Sequence, residues 1–146
     1  MSQFVVDNDG VGASALLTMH VDSNPDWGFT QNDINNNLTA CVISGNNEVS
    51  MGENGDELFG KVLAVSQELQ PGTTIPAYCT VQARGMARFT YTGTAPRVNQ
   101  MMEVDGRGRV KRPPAYEHIE IGGHTARRGQ VIAIDTINHT CDVWLG

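Results

Sequence analysis

The heptapeptide GQVIAID at residues 129–135 has a near copy, GKVLAVS, at residues 60–66. Each copy begins with glycine and a long polar residue and continues as an apolar run. After a polar gap each is followed by Cys-x-Val, at 79–81 and at 141–143. A short apolar run bounded by glycine and turn residues is typical of a buried strand. The sequence therefore predicts two hairpins, with the apolar run in the first strand of each and Cys-x-Val in the second. They are either a duplicated hairpin or a chance likeness, since buried strands draw on few residue types.

The rest of the chain also has the pattern of short strands separated by turns. The 146 residues include 16 glycines, and Asp105-Gly106 is a strong hairpin signal between two apolar segments. Another hairpin is predicted around Gly45, and strands are predicted on either side of the Arg84-Gly85 corner. No helical periodicity extends over three turns. We therefore predict an all-β fold of eight or nine strands, a compact β-barrel or sandwich of short antiparallel strands.

The length of the chain suits one domain with a core of ordinary size. Residues 1–14 place a short apolar patch ahead of a tract rich in Asp and Gly, which predicts an extended N-terminal arm. Residues 15–146 are predicted to form a single β domain. Within it, residues 22–37 have the composition of a long polar loop, which we expect Trp27 and Phe29 to fix to the body.

The charge of the chain is acidic overall and uneven. Residues 1–60 contain nine acidic and no basic residues (−9), and residues 61–146 contain seven acidic and ten basic residues (+3), which gives the net charge of −6. We expect no nucleic-acid partner, because phosphate neutralisation requires a basic patch. No apolar run approaches the ~20 residues that cross a bilayer, so we expect no membrane partner. The asymmetry either attracts unlike faces of neighbouring copies or is mixed on one folded surface.

The residues that commonly carry catalysis or hold metal ions form no recognisable motif. The four histidines show neither His-x-His nor His-Glu-x-x-His spacing, so no metal ion is predicted. Cys79 and Cys141 alternate with apolar neighbours, which indicates small buried residues rather than reactive thiols. We therefore expect that the protein is not an enzyme, binds no cofactor and has no catalytic residues.

Five segments taken in order resemble a known family: GKVLAVS, CTVQARG, MEVDGRGRV, GQVIAID and CDVWL. Together they are similar to the capsid cement or decoration proteins, small β proteins that coat the head of tailed bacteriophages. The resemblance covers about residues 58–146. It implies a structural virion protein on the outer surface of the capsid, synthesised in the host cytoplasm. Such a protein bridges subunits of the major capsid protein, stabilises the shell and associates with itself, as a homotrimer.

Two groups of residues are candidates for partner binding. We expect Phe4, Val5 and Val6 of the arm to make apolar and backbone contacts with the major capsid protein. The second group consists of arginines that we expect to pair with acidic residues on neighbouring subunits. They are Arg84, Arg88, Arg107 and Arg109.

Two other functions remain open from the sequence. The first is a carbohydrate-binding or fibre-associated β module of a phage particle, which would present an aromatic platform. The candidates for that platform are Trp27, Tyr91, Tyr116 and Trp144. The second is an enzyme whose site contains Glu117, His118 and His124.

Overall fold

The computed structural model describes residues 16–113 and 128–146. Across these ranges the fold is all-β, with ten strands and one short helix. In chain order the elements are β1 Leu16–Val21, α1 Gln31–Asn35, β2 Ala40–Gly45, β3 Glu48–Ser50, β4 Gly60–Val65, β5 Tyr78–Gln82, β6 Met86–Thr90, β7 Met101–Val104, β8 Val110–Lys111, β9 Arg128–Asp135 and β10 Thr140–Trp144. The predicted fold class is confirmed, while the predicted arm at residues 1–14 lies outside the described residues.

The first five strands close into a barrel. Around the barrel the strands are ordered β1, β5, β4, β2 and β3, and β3 returns to β1. The closing contact is a parallel pairing in which Val21 lies opposite Val49, and the amide of Asp22 donates to the carbonyl of Val49 at 2.9 Å. The other four pairings are antiparallel. We call β1–β5 the first barrel.

The last five strands repeat this order. The second sheet, β6–β10, is ordered β6, β10, β9, β7 and β8, which is the order of the first barrel with each strand advanced by five. Tyr91 forms a parallel bridge with Val110, and the amide of Thr92 donates to the carbonyl of Val110 at 2.9 Å. This is the counterpart of the contact that closes the first barrel. The two halves of the described chain are therefore one structural unit used twice.

The two similar segments, GKVLAVS and GQVIAID, lie in equivalent hairpins that have the same register. In the first hairpin Val62 lies opposite Val81 and Val65 opposite Cys79. In the second, Val131 lies opposite Val143 and Ile134 opposite Cys141. These are the hairpins predicted from the sequence, and the match in register favours repetition over chance.

Each hairpin also contains a β-bulge at the same place. The register shifts between Val62 and Ala64 in the first hairpin, and the matching shift in the second skips Ile132. A bulge leaves one residue without an opposing partner and turns its side chain outward. The two extra residues, Leu63 and Ile132, are accordingly exposed.

Each unit has a core cluster, and the two clusters share seven equivalent positions. Seven residues of the first barrel cluster correspond to seven residues of the second sheet cluster. The pairs are Met19 and Phe89, Val21 and Tyr91, Cys41 and Met102, Val49 and Val110, Val62 and Val131, Cys79 and Cys141, and Val81 and Val143. We call Cys79 and Cys141 the core thiols. Both are buried and free, as the alternating pattern predicted.

The two units are joined by backbone hydrogen bonds and by a shared core. The amide of Ala40 donates to the carbonyl of Gly108 at 2.9 Å, and the amide of Val104 donates to the carbonyl of Asp56 at 3.0 Å. Ala40, Val42 and Leu58 belong to the cluster formed by the second sheet. The strands on either side of the Arg84-Gly85 corner pair with other strands rather than with each other. That corner therefore carries the chain from one unit to the next.

The predicted polar loop at residues 22–37 contains the short helix α1, which was not predicted from the sequence. Thr30 caps its N-terminus. The amide of Asp33 donates to the Thr30 hydroxyl at 3.3 Å, and the amide of Thr30 donates to the Asp33 carboxylate at 2.9 Å. Reciprocal bonds of this kind satisfy two amides that the first turn leaves free. Phe29 fixes the loop to the first barrel, since it is fully buried in that core.

Candidate interaction surfaces

A row of exposed side chains crosses four strands of the second sheet. Met86 lies opposite Trp144, Trp144 opposite Gln130, and Gln130 opposite Met101. Residues paired in this way have side chains about 5 Å apart on one face of the sheet. Met86, Trp144 and Met101 are 49%, 44% and 42% exposed. We call these four residues the outer row.

The outer row faces away from the core because successive residues of a strand point to opposite faces. The neighbours Ala87, Val143, Val131 and Met102 are all buried in the second core. An exposed apolar row on a regular sheet is the kind of surface that marks a protein–protein contact. Two of its members are methionines and one is tryptophan, residue types enriched in such interfaces.

Beside the outer row lies an ion pair between β6 and β10. Arg88 contacts both carboxylate oxygens of Asp142, Nε to Oδ1 at 2.7 Å and Nη2 to Oδ2 at 3.1 Å. The hydrogen bond from Arg88 lowers the pKa of the Asp142 carboxyl and raises the pKa of the guanidinium itself. Lys61 of the first barrel lies near this pair and donates to the carbonyl oxygen of Arg88 at 2.7 Å. Burial, and then the charge of Arg88, lower the pKa of the Lys61 ammonium.

A second candidate surface is the cleft between the first barrel and the β7–β8 turn. Trp27, Asp26 and Asp33 line one side, and Arg107 and Arg109 line the other. Trp27 is 37% exposed. An aromatic face flanked by carboxylates and guanidinium groups can bind a polar ligand through stacking and hydrogen bonds.

The structure separates the four predicted arginines. Arg88 is bound to Asp142, and Arg109 contacts the Asp105 carboxylate at 2.7 Å. Arg84 lies in the corner between the units, and Arg107 lies in the β7–β8 turn; both are exposed. Their binding to acids on a neighbouring subunit remains a prediction.

The three predicted apolar arm residues Phe4, Val5 and Val6 lie outside the described residues. So do Tyr116 of the predicted aromatic platform and the group Glu117, His118 and His124. Tyr91 is 4% exposed and packs in the second core, so it is not available to a platform. The sequence did not predict the outer row as a set, since of its four residues only Trp144 was a candidate, for the aromatic platform. A signal was present: in β10 and β7, Trp144 and Met101 fall on the strand face opposite the core residues Val143 and Met102.

The core thiols are buried, and each of the two described histidines packs against a tyrosine ring. Burial raises the pKa of each core thiol to about 12, so both stay protonated at neutral pH. In residues 16–113 and 128–146 no group of three His, Cys, Asp or Glu side chains could hold a metal ion. His20 packs against Tyr78, with ring centroids 4.7 Å apart, and His139 packs in a similar way against Tyr91.

No protein family, curated protein or solved structure matches this chain. The one helix in the described ranges, α1, is too short to cross a membrane.

Proposed function

We propose that this chain is a structural virion protein without catalytic activity. It is a capsid cement or decoration protein that binds the outer surface of a phage head and bridges subunits of the major capsid protein. Its partners are the shell and other copies of itself, and it acts without a cofactor.

The observation that carries this proposal is the repeated bulged hairpin. GKVLAVS and GQVIAID, two of the five segments of the resemblance, occupy equivalent strands with one register. A body of two such units is held by sheet pairing and by backbone hydrogen bonds between the units. Most of its exposed large apolar side chains, including the outer row, lie on strands, which suits a stiff protein that binds other protein surfaces.

The docking residues we assign to the shell are those of the arm, Phe4, Val5 and Val6, together with Arg84 and Arg107. The two arginines are exposed, and no ion pair within the described residues involves them. They are therefore available to carboxylates of a capsid subunit. Weak contacts of this kind add up when one protein binds a repeating lattice at many points.

Cosedimentation tests the proposal. Empty shells assembled from the major capsid protein of the phage that encodes this chain are mixed with the full-length protein. We expect saturable binding at a fixed ratio of copies to capsid subunits and a higher melting temperature of the shells. A chain without residues 1–14 should bind more weakly, and Arg107→Ala should lower affinity more than the control Arg97→Ala. Shells that sediment without the protein at saturating concentration would refute the proposal.

The cleft that contains Trp27 favours a second candidate, a carbohydrate-binding or fibre-associated module. A half-exposed indole beside Asp26, Asp33 and Arg107 offers stacking and hydrogen bonds to a sugar. A glycan array tests this function with the wild-type protein and with Trp27→Ala. Binding that depends on Trp27, in a protein that does not sediment with shells, would favour the second candidate over the first.

A further inference from the structure

The first barrel has a row equivalent to the outer row of the second sheet. Leu16 lies opposite Gln82, Gln82 opposite Lys61, and Lys61 opposite Ala40. In the repeat, Leu16 corresponds to Met86, Gln82 to Trp144, Lys61 to Gln130, and Ala40 to Met101. The two rows therefore occupy the same place on two copies of one unit.

In the first barrel three residues of this row, Gln82, Lys61 and Ala40, contact the second sheet, while Leu16 at the end of the row stays exposed. The side-chain amide of Gln82 donates to the carbonyl of Met86 at 2.8 Å, and Lys61 Nζ donates to the carbonyl of Arg88 at 2.7 Å. Ala40 is fully buried against the second core. Strand β6 therefore packs against this row. Gln82 and Lys61 donate to carbonyl groups of β6 that point away from β10.

In the second sheet the equivalent row is exposed, and it retains two hydrogen-bond donors at the matching positions. Trp144 and Gln130 replace Gln82 and Lys61, and each still carries an N–H donor, the indole Nε1 and the amide Nε2. The Gln130 amide donates one hydrogen to Asn99 Oδ1 at 2.8 Å and has a second. Met101, in place of the small buried Ala40, adds apolar surface, and it is 42% exposed.

In the first barrel the strand that corresponds to β6 is β1. The edge of β1 that faces away from β5 corresponds to the edge of β6 that faces away from β10. Within the described residues β1 pairs with β3 only at His20 and Val21. Residues Leu16 to Met19 pair with β5 on one side, and their other edge has no described strand beside it. Leu16 and Leu17 on this edge are 51% and 41% exposed. The carbonyl groups of Leu16 and Thr18 are the counterparts of the two β6 carbonyls that the first barrel binds.

We propose that the outer row of one copy binds strand β1 of a second copy, so that the chain associates head to tail by repeating its own internal contact. In this contact Trp144 and Gln130 donate to the carbonyls of Leu16 and Thr18, and Met101 packs against the neighbouring barrel. The contact is heterologous, because each copy contributes a different surface. It follows from the repeat within the chain and does not depend on a phage function.

Sedimentation velocity on the full-length protein tests this inference. The row variant carries Met101→Lys with Trp144→Ser, and the edge variant carries Leu16→Lys with Leu17→Ser. Ile137→Lys is the matched control, since Ile137 is an apolar residue in the β9–β10 turn and is 87% exposed. We expect the wild-type protein and the control to associate, and the row and edge variants to dissociate with a Kd raised by roughly 30-fold or more.

Mixing the two variants distinguishes a heterologous contact from a symmetric one. The row variant keeps an intact β1 edge and the edge variant an intact row, so an equimolar mixture should form a dimer and stop there. Trp144→Phe keeps an aromatic ring but removes the indole N–H, and it should weaken association by a smaller factor than Trp144→Ser with Met101→Lys, without disturbing the fold. Circular dichroism checks that each variant is folded. A monomeric wild-type protein, a row variant that associates as tightly as the control, or a mixture of folded variants that stays monomeric would each overturn the inference.

Discussion

Gly129 is the first residue of the segment GQVIAID in the second hairpin, and two separate constraints require glycine at this position. Its φ is +82°, in the region that side chains with a Cβ rarely adopt. A Cβ there would also overlap Cγ1 of Val143, a core residue with no exposed surface. Gly129→Ala should therefore destabilise the second sheet for both reasons.

Gly93 provides a control that shares only the first constraint. Its φ is +76°, and a Cβ added there would meet no atom within 4 Å. The backbone cost of alanine at positive φ is about 1–2 kcal/mol at either glycine. The overlap with Val143 adds about 1–3 kcal/mol at Gly129, as for overpacked cores. At about 2–4 °C per kcal/mol for a chain of this size, Gly129→Ala should melt roughly 2–12 °C below Gly93→Ala.

Thermal unfolding followed by circular dichroism measures both variants against the wild-type protein. Gly60, the counterpart of Gly129 in the first barrel, serves as a further comparison. A Cβ at Gly60 would overlap the carbonyl oxygen of Gln82, but φ at Gly60 is not positive, so its alanine variant carries only the overlap cost and should melt below the wild-type protein. Equal melting temperatures for Gly129→Ala and Gly93→Ala would show that Val143 moves aside. The tight hairpin packing inferred from the repeat would then be wrong.

Three further outcomes are expected. Lys111→Met removes the ammonium group 3.1 Å from the buried Glu103 carboxylate, so it should lower the free energy of unfolding by about 2–4 kcal/mol in urea titrations. Adding Glu103→Leu should restore most of this loss. A double variant that is no more stable than Lys111→Met would contradict this prediction. Because the contact with Arg88 lowers the folded pKa of Asp142 below its ordinary 3.8, the pair stabilises the protein above that pH and the stabilisation is lost as the pH falls through the folded pKa. The melting temperatures of wild type and Asp142→Asn should therefore differ at pH 6 and converge in acid, and a constant difference would argue against the pair. The core thiols, with pKa about 12, should resist a thiol-specific disulfide reagent at pH 8 until urea unfolds the chain, and rapid labelling of the native protein would refute their burial.

The sequence was sufficient to predict the local hairpins and the buried thiols. Asp105-Gly106 and the residues around Gly45 mark turns through their own backbone preferences, and the structure has hairpins at both places. These signals lie within a few residues of each other. The cap of α1 was equally local, since Thr30 and Asp33 stand three residues apart, but the pair was hidden in a stretch rich in Asn.

The repeat beyond the hairpins could not be predicted from residue identities. Equivalent core positions hold different side chains, such as Met19 and Phe89, because either fills a small barrel. The connections also differ, since residues 66–77 link β4 to β5 but only 136–139 link β9 to β10. The parallel contact between Val21 and Val49 joins segments that are far apart in sequence. Only a register of paired strands reveals the equivalence.

The shared core explains why the doubled unit suits the proposed role, which is to bind other protein surfaces. A unit of about 60 residues buries too little surface to be more than marginally stable alone. Here Val42 and Leu58 of the first half pack into the core of the second, and each unit therefore completes the other. Sheet pairing already holds the outer row and the β1 edge in place before any partner arrives. Association then costs little conformational entropy, so exposed rows of a few residues can bind with useful affinity.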